Sequence, residues 1–311
     1  MSDRRLLRGL AYGLAIDSSI PLPRALAAGP GVAAGDVSVT EGRPNRLREV
    51  PPTSLGHRFI EGRASLACGD GLFISVAGGA RIVVPRGINV AHFQSSLIGP
   101  VLGTVIIQRG WLALHASAVA FEGDVALAVC APSGGGKSVT AAACFLQGDP
   151  LVTDDVLALP FGDIPPDYVV PAFPLVRLWP EGATALGLDP ESLDVIDPDL
   201  GKLVFHAEKG FRRDPRRLGA IVILESSGTE VSASELEGGE AVAALVEHSY
   251  GVSAIRQTGR LARHFEQITD LVRRVPVARL RLPPATPPSD VADAVHGVGS
   301  DLVGSGVPRV S

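Results

Sequence analysis

Residues 125–138 read VALAVCAPSGGGKS, an apolar run followed at once by a glycine-rich turn that ends in the letters GKS. The pattern G-x-x-x-x-G-K-[S/T], placed after a strand and before a helix, is typical of phosphate-binding loops. Ala131 stands where the first Gly is usual, and the rest of the pattern is intact. The run 125–130 predicts a strand, and the Ala-rich stretch 138–146 predicts a helix. The sequence therefore predicts a phosphate-binding loop.

Each part of this loop has a physical role in holding a polyphosphate. Three consecutive glycines let the backbone curl so that several N–H groups point inward, and the helix directs its N-terminal partial positive charge to the same point. Lys137 adds a full charge for the β and γ phosphates, and the Ser138 hydroxyl is placed to ligate Mg²⁺. The alternative is a turn that binds nothing. We expect an ATP and Mg²⁺ site whose nucleotide-binding residues are Ser133, Gly134, Gly135, Gly136, Lys137, Ser138 and Val139.

Two neighbouring aspartates, Asp154 and Asp155, follow the short apolar run 151–153. A helix of about ten residues, a turn and a strand bring the chain back beside the first strand, so we expect both carboxylates at the phosphate end. Neighbours on an extended chain point to opposite faces, which predicts different roles. We assign Mg²⁺ binding to Asp154, together with Ser138, and acceptance of the substrate hydroxyl proton to Asp155. The alternative is that Asp154 and Asp155 are solvated residues of a turn with no catalytic role.

The rest of the chain predicts an α/β protein in two parts. Residues 1–95 carry short apolar runs separated by Pro and Gly, which predicts a small β-rich accessory or substrate-facing domain. Residues 96–298 alternate strand and helix patterns around the loop, and residues 299–311 predict a flexible tail. The predicted strands outside the loop unit are 13–16, 37–40, 72–76, 80–84, 112–121, 220–225 and 275–282, and the further predicted helices are 93–109, 239–248, 260–273 and 289–298.

Composition excludes several classes of protein. The net charge of −5 argues against nucleic acid as the main partner, because binding to a phosphate backbone needs a concentrated basic surface. The apolar stretch 93–109 is interrupted by Gly, Pro and Gln, so we interpret it as a buried core helix and expect no contact with a membrane. One basic cluster is either a solvated loop or an anion-facing loop near the site; it consists of Lys209, Arg212, Arg213, Arg216 and Arg217.

The cysteines do not suggest a disulfide framework. They are three, Cys68, Cys130 and Cys144, which is an odd and sparse set. Cys130 and Cys144 lie in apolar stretches and are interpreted as small core residues. The sequence also carries no signal-peptide pattern, so we expect a soluble protein of the reducing cytoplasm.

Several short motifs, taken in order, resemble those of HPr kinase/phosphorylase and its shorter bacterial relatives. These are HASAV at 115–119, SGGGKS at 133–138 and TDD at 153–155. The stretch 174–180 resembles the relatives' segment after the acidic pair, and the region 12–23 resembles their leader domain. The likeness covers roughly residues 100–285.

This resemblance implies a fold and an activity. The fold is a P-loop core of the HPr kinase and phosphoenolpyruvate carboxykinase type behind a small β-rich N-terminal domain. The activity is phosphorylation of a Ser with ATP and Mg²⁺, with Asp154, Asp155 and Lys137 as catalytic residues. His115 joins them on the resemblance, since a lone His in an apolar strand is more often a core residue. Val139 stands where bifunctional HPr kinases commonly have Glu, so the resemblance implies neither phosphorolysis nor HPr as the acceptor.

The shorter relatives look like kinases of a lasso-precursor peptide, which implies a peptide or protein partner with an acceptor Ser, such as a C-terminal Ser. Arg177 and Lys202 either contact phosphate or substrate or are ordinary surface charges. Two other functions remain open: a nucleotide-binding regulator that transfers little or no phosphate, and a small-molecule kinase of the same fold. Formation of a homo-oligomer is also open.

Overall fold

The computed structural model describes residues 6–28, 35–68, 71–122, 125–161, 164–197 and 200–304. The chain combines several β-sheets with helices, so the α/β class predicted from the sequence is confirmed. The strands are β1 Leu7–Ala11, β2 Leu14–Ser18, β3 Val37–Gly42, β4 Arg58–Ile60, β5 Arg63–Cys68, β6 Leu72–Ala77, β7 Arg81–Pro85, β8 Leu112–Leu114, β9 Ala116–Phe121, β10 Val125–Cys130, β11 Leu151–Thr153, β12 Leu157–Leu159, β13 Tyr168–Val169, β14 Leu175–Leu178, β15 Asp194–Asp197, β16 Lys202–His206, β17 Arg216–Ser226, β18 Ser232–Leu236 and β19 Val277–Leu282. The helices are α1 Val90–Ser96, α2 Leu102–Gln108, α3 Lys137–Gln147, α4 Pro180–Ala185, α5 Gly238–Glu247, α6 Val252–Gln257, α7 Leu261–Val272 and α8 Pro288–Gly304.

The N-terminal strands form one seven-stranded sheet in the order β1-β2-β3-β7-β6-β5-β4. Pairing is antiparallel except where β3 runs parallel to β2 and to β7. Alternate residues of β3 and β7 are buried, the pattern of a sheet with one face on a core. The sequence did not predict β1, β4 and β5, whose apolar runs are short and carry arginines.

The helical segment 90–108 joins this sheet to the rest of the chain. It consists of α1, a turn of π-helix at Leu97–Val101 and α2, and it kinks at Gly99, where φ is −114° and ψ is −108°. Within the described residues, it is the segment whose length and apolar composition would allow it to cross a membrane. Its apolar side chains instead lie in one core cluster with those of the N-terminal sheet. The domain boundary predicted at 95/96 therefore falls inside a helical segment that both parts share.

The second sheet holds the glycine-rich loop at its centre. Its strand order is β11-β9-β10-β17-β19-β18, and β13 also pairs with β17. The strands β10, β17 and β19 are parallel, and every residue of β10 is buried, as expected for a sheet covered on both faces. A small sheet, β14-β16-β15, lies off this path.

The strand predicted at 112–121 and the position predicted for 151–153 both need correction. The chain breaks at His115 into β8, which pairs with β12, and β9, which pairs with β10. Because β9 directly precedes β10 in the chain and pairs with it antiparallel, β9 takes the place beside β10. As a result β11 lies one strand further out, parallel to β10 but paired with β9.

The two helices nearest the loop follow the sequence with one difference. Helix α3 begins at Lys137 and ends before Gly148, whose φ of 115° is the left-handed conformation that commonly ends a helix. Helix α8 continues to Gly304, so residues 299–304 are helical and not part of a tail. A Cβ at Gly299 would lie 2.8 Å from Leu127 Cδ2, so this glycine allows close packing and does not end the helix. Residues 305–311 lie outside the described residues.

Candidate active site

The glycine-rich loop leads from the carboxyl end of β10 into the first turn of α3. Gly134 and Gly136 have φ of 78° and 92°, in the left-handed region that favours glycine. Gly135 donates its N–H to the Pro132 carbonyl at 2.8 Å, and a Cβ at Gly135 would lie 2.9 Å from the same oxygen. Backbone conformation thus requires two of these glycines, and close approach requires the third.

Asp154 is fixed by three hydrogen bonds from three different parts of the chain. Its Oδ1 atom accepts from Ser138 Oγ at 2.7 Å and from Ser117 Oγ at 2.6 Å. Its Oδ2 atom accepts from the backbone N–H of Arg177 at 3.0 Å. The side chain is 3% exposed, and each of these bonds reduces the cost of burying a carboxylate. The residue that we assigned to metal binding therefore lies beside Ser138, as the assignment requires.

Asp155 faces a second group of polar side chains. Its Oδ1 atom lies 3.2 Å from His115 Nε2 and 3.9 Å from Lys137 Nζ, and its Oδ2 atom accepts a short hydrogen bond from the Arg177 guanidinium. Burial alone would raise the pKa of this carboxyl, but Arg177, His115 and Lys137 together hold the pKa well below its ordinary value. Asp155 is thus an ionised carboxylate held by two permanent cations.

The backbone of Asp155 explains how two adjacent aspartates reach different partners. Its φ is 70°, a conformation that non-glycine residues rarely adopt and that costs about 1 kcal/mol or more. This conformation turns the chain between Asp154, which faces Ser138, and Asp155, which faces His115 and Arg177. The different directions that we predicted from an extended chain are present, but through a left-handed turn.

A cavity of about 320 Å³ lies over these groups, and we call it the loop cavity. Its wall includes Lys137, Ser138, both aspartates and His115, together with most of the predicted loop residues. Arg177 and Lys202 also line it, and both belong to the small sheet β14-β16-β15. The loop cavity therefore combines three cations with oxygen donors, which suits a ligand that carries several negative charges.

Trp179 and Glu181 line the loop cavity but were not among the site residues predicted from the sequence. The Lys202 ammonium lies 4.9 Å from the centre of the Trp179 ring, a distance suited to a cation–π contact. Burial, with a smaller contribution from nearby Arg177, lowers the pKa of Lys202. Glu181, in α4, completes this side of the wall. A Trp and a Glu next to a Pro give no periodic signal, so only the fold reveals their place.

A second cavity, of about 530 Å³, adjoins the loop cavity at the glycine turn. We call it the proline cavity because the connector 283–288 forms one wall. Gly134, Gly136 and Val139 line both cavities, whereas Gly135 lines the proline cavity and not the loop cavity. Its wall includes apolar side chains at the ends of β17 and β19 and the first turn of α8, among them Leu224, Leu282 and Val291.

Two buried tyrosines near Asp155 were also missed. Tyr12 is 1% exposed and comes from the N-terminal sheet, where its φ of 55° turns the chain between β1 and β2. Tyr250 precedes α6, and its ring lies 6.3 Å from that of His115. Burial raises the pKa of both hydroxyls, and the charge of Asp155 raises each further, so both are neutral at physiological pH. Isolated tyrosines of this kind carry no recognisable pattern.

The remaining sequence predictions concern residues outside the loop cavity. The basic cluster does not line it: Arg216 is buried and pairs with Asp214, and the other four members of the cluster are exposed. All three cysteines are buried free thiols. Burial raises the pKa of Cys130 and of Cys144 to about 12, which agrees with their interpretation as core residues.

Comparisons with known proteins add little to this geometry. No family model and no curated protein matches the chain. Among solved structures, the chain is similar to the Hpr(Ser) kinase/phosphatase from Coxiella burnetii, with 10% sequence identity and a TM-score of 0.30 over 62% of this chain and 99% of that chain. This is the family that the sequence motifs resemble, but a likeness at this level establishes neither fold nor activity. Function must be argued from the site itself.

Proposed function

We propose that the protein is an ATP-dependent phosphotransferase that moves the terminal phosphoryl group of ATP to a hydroxyl of a peptide or protein. One observation carries the proposal: two carboxylates lie at the glycine-rich loop. Ser138 Oγ is 2.7 Å from Asp154 Oδ1, and Lys137 Nζ is 3.9 Å from Asp155 Oδ1. Phosphoryl transfer depends mainly on positioning and on charge, and these four groups supply both.

The loop cavity and the proline cavity fit the two parts of a nucleoside triphosphate. The loop cavity presents Lys137, Arg177 and Lys202, which match a polyphosphate. The proline cavity presents apolar side chains, which match an uncharged base and sugar. Because Gly134 and Gly136 line both cavities, one molecule bound across the turn contacts both. A simple phosphate ester would leave the larger cavity unused.

The oxygens of Ser138 and Asp154 suit Mg²⁺, which prefers hydroxyl and carboxylate oxygen ligands. Oδ1 of Asp154 already faces Ser138 Oγ, and Ser117 Oγ fixes the same atom from the other side. When bound there, Mg²⁺ would neutralise the charge that develops on the transferred phosphoryl group.

This chain's own residues supply the proton acceptor and the positive charges for the reaction. Asp155 accepts the proton of the acceptor hydroxyl as the oxygen–phosphorus bond forms, and the bond between the γ phosphorus and the bridging oxygen breaks to leave ADP. Lys137 and Arg177 stabilise the charge on the transferred group, and His115 orients Asp155 through its contact with Oδ1. The acceptor that we propose is a Ser, such as the C-terminal Ser of a ribosomally made lasso-precursor peptide, and this choice rests on the motif resemblance alone.

A second function is favoured by one specific observation. Arg177, Lys137 and His115 all contact Asp155 and lower its pKa, which makes it a weak proton acceptor. A nucleotide-binding regulator that does not transfer phosphate would need no base there. For Asp155 to act as the base of a kinase, the acceptor must displace Arg177 from it.

Radiolabelled ATP separates the two functions. The wild-type protein and Asp155→Asn are incubated with labelled ATP, Mg²⁺ and Ser-containing peptides, and nucleotide affinity is measured in parallel. A kinase labels peptide, and Asp155→Asn binds ATP but loses labelling by at least about 100-fold. Tight ATP binding with no labelled acceptor supports the regulator, and label on a metabolite supports a small-molecule kinase. Absence of nucleotide affinity at millimolar concentration contradicts the whole proposal.

A further inference from the structure

A third cavity, of about 340 Å³, adjoins the loop cavity at His115. We call it the His57 cavity. Its walls come from three parts of the chain: the loop 53–57 with Phe59 of the N-terminal sheet, the segment 100–107 of the central helix, and the segment 249–254 that leads into α6. Its volume lies at the lower end of the range for cavities that hold small ligands.

The His57 cavity adjoins the chemistry through a shared residue. His115 lines both the loop cavity and the His57 cavity. Its Nε2 atom is 3.2 Å from Asp155 Oδ1, and its ring packs edge to face against Tyr250, which lines the His57 cavity. A substrate that extends from the His57 cavity to the Asp155 carboxylate therefore passes His115.

Hydrogen bonds between distant segments hold the wall of the His57 cavity in place. The Gln257 side chain accepts a hydrogen bond from Phe59 N at 2.9 Å and donates one to the Pro51 carbonyl at 3.1 Å. These bonds fasten the N-terminal sheet to α6 across a separation of 198 residues. A Cβ at Gly103, in α2, would lie 2.3 Å from the Tyr250 ring, so that ring is closely packed.

The chemistry of this wall differs from that of the loop cavity. Among the described residues that line it there is no Lys, Arg, Asp or Glu, and its apolar members include Leu55, Phe59, Ile107 and Val252. Burial lowers the pKa of His57, which keeps this imidazole neutral at physiological pH. A charged occupant would lose its hydration without gaining a partner, whereas an apolar occupant gains from burial.

We propose that the His57 cavity binds an uncharged apolar side chain next to the acceptor hydroxyl, so that the acceptor Ser has an aliphatic neighbour in its sequence. This inference rests on the proposed function, because it takes Asp155 as the group that receives the hydroxyl proton. The proline cavity already offers a place for the nucleoside, so ATP does not need the His57 cavity. The N-terminal sheet then selects the acceptor.

Two probe peptides test this inference: acetylated and amidated Gly-Leu-Ser-Leu-Gly, and its counterpart Gly-Asn-Ser-Asn-Gly, which has side chains of similar size but polar. Their binding is measured by calorimetry in the presence of a non-hydrolysable ATP analogue, and their labelling is measured with radiolabelled ATP. We expect the Leu peptide to bind and to be labelled at least about tenfold better, the ratio that loss of an apolar contact gives.

Variants at the cavity mouth connect the preference to this site. Leu55 is 73% exposed and Ser253 is exposed, so Leu55→Asp and Ser253→Trp leave the core intact. Both should remove the preference for the Leu peptide while the affinity for the ATP analogue is retained. The matched control is Val231→Asp, a residue 57% exposed that does not line the cavity, and this variant should keep the preference.

The possible results separate the inference from the function on which it rests. Equal binding and labelling of the two peptides, or a preference that survives both Leu55→Asp and Ser253→Trp, overturns the inference while the kinase stands. Binding of the ATP analogue with no binding of either peptide also overturns it. Failure of the wild-type protein to bind the ATP analogue overturns the proposed function.

Discussion

Ser138 Oγ donates a hydrogen bond of 2.7 Å to Asp154 Oδ1, and this bond joins the glycine-rich loop to a strand end 16 residues further along the chain. The two residues belong to α3 and to the turn after β11, which lies two strands away from β10 in the sheet. Their contact places both proposed Mg²⁺ ligands at one point. Ser117 Oγ binds the same carboxylate oxygen from β9, the strand between them.

Lys137→Ala should abolish phosphoryl transfer. The Lys137 side chain is 10% exposed, and its ammonium lies 3.9 Å from Asp155 Oδ1 and is the loop's own cation, so its loss removes charge stabilisation that water cannot replace. We expect the transfer rate to fall by about 100-fold or more, as for removal of one preorganised donor. Lys209→Ala, at an exposed lysine outside the loop cavity, is the control and should keep full activity. Full activity in Lys137→Ala would show that this loop does not hold the phosphates.

Ser138→Ala and Ser117→Ala should differ in their dependence on Mg²⁺, although both remove a hydrogen bond to Asp154 Oδ1. Ser138 is the proposed ligand, so its loss should raise the Mg²⁺ concentration for half-maximal activity by about tenfold or more. Ser117 is fully buried and only positions Asp154, so the effect of its loss on this concentration should be smaller. A titration of activity with Mg²⁺ measures both. Equal shifts would contradict the assignment of Ser138 as a ligand.

Arg177→Gln should move the acid side of the pH–activity profile towards higher pH. In the wild-type protein the pKa of Asp155 in the folded state is well below its ordinary value of 3.8, so the ion pairs are complete above 3.8 and are lost only as the pH falls through the lower, folded-state pKa. Without Arg177, burial of the carboxyl is opposed only by His115 and Lys137, and the pKa rises. Activity is measured from pH 4 to 9, a range in which Asp155 of the wild-type protein stays ionised, so an acid-side loss caused by this carboxyl should appear only in Arg177→Gln. The same acid side in both profiles would show that Asp155 ionisation does not limit the reaction.

Gly103→Ala should destabilise the fold near the His57 cavity. The added Cβ would lie 2.3 Å from Tyr250 Cε1, so the ring or α2 must move, which costs about 1–3 kcal/mol in the free energy of unfolding. Gly239→Ala is the matched control, because a Cβ there meets nothing within 4 Å inside α5 and should be neutral or slightly stabilising. Urea unfolding of both variants gives the comparison. Equal stability of the two would mean that the Tyr250 ring is not confined by α2.

The local elements of the site follow from short stretches of sequence. The apolar run of β10, three glycines and the Ala-rich α3 specify strand, turn and helix by interactions within a few residues of one another. Gly148 ends α3 for the same local reason, since only a left-handed residue completes that turn without strain. The residue types of the candidate site, which are glycines, Lys137 and two aspartates, therefore follow from the sequence alone.

Tertiary structure decided where those groups stand and what surrounds them. Strand pairing inserted β9 beside β10 and moved β11 outward, because antiparallel pairing with a sequence neighbour competes with the parallel pairing of a crossover. The fold also brought Arg177 to Asp155 from 22 residues away and joined Phe59 to Gln257 from 198 residues away. The amino-acid sequence by itself determined the glycine-rich loop and the strand and helix on either side of it. The partners of its carboxylates and the cavity beside His115 depend on packing between distant segments, which no local pattern encodes.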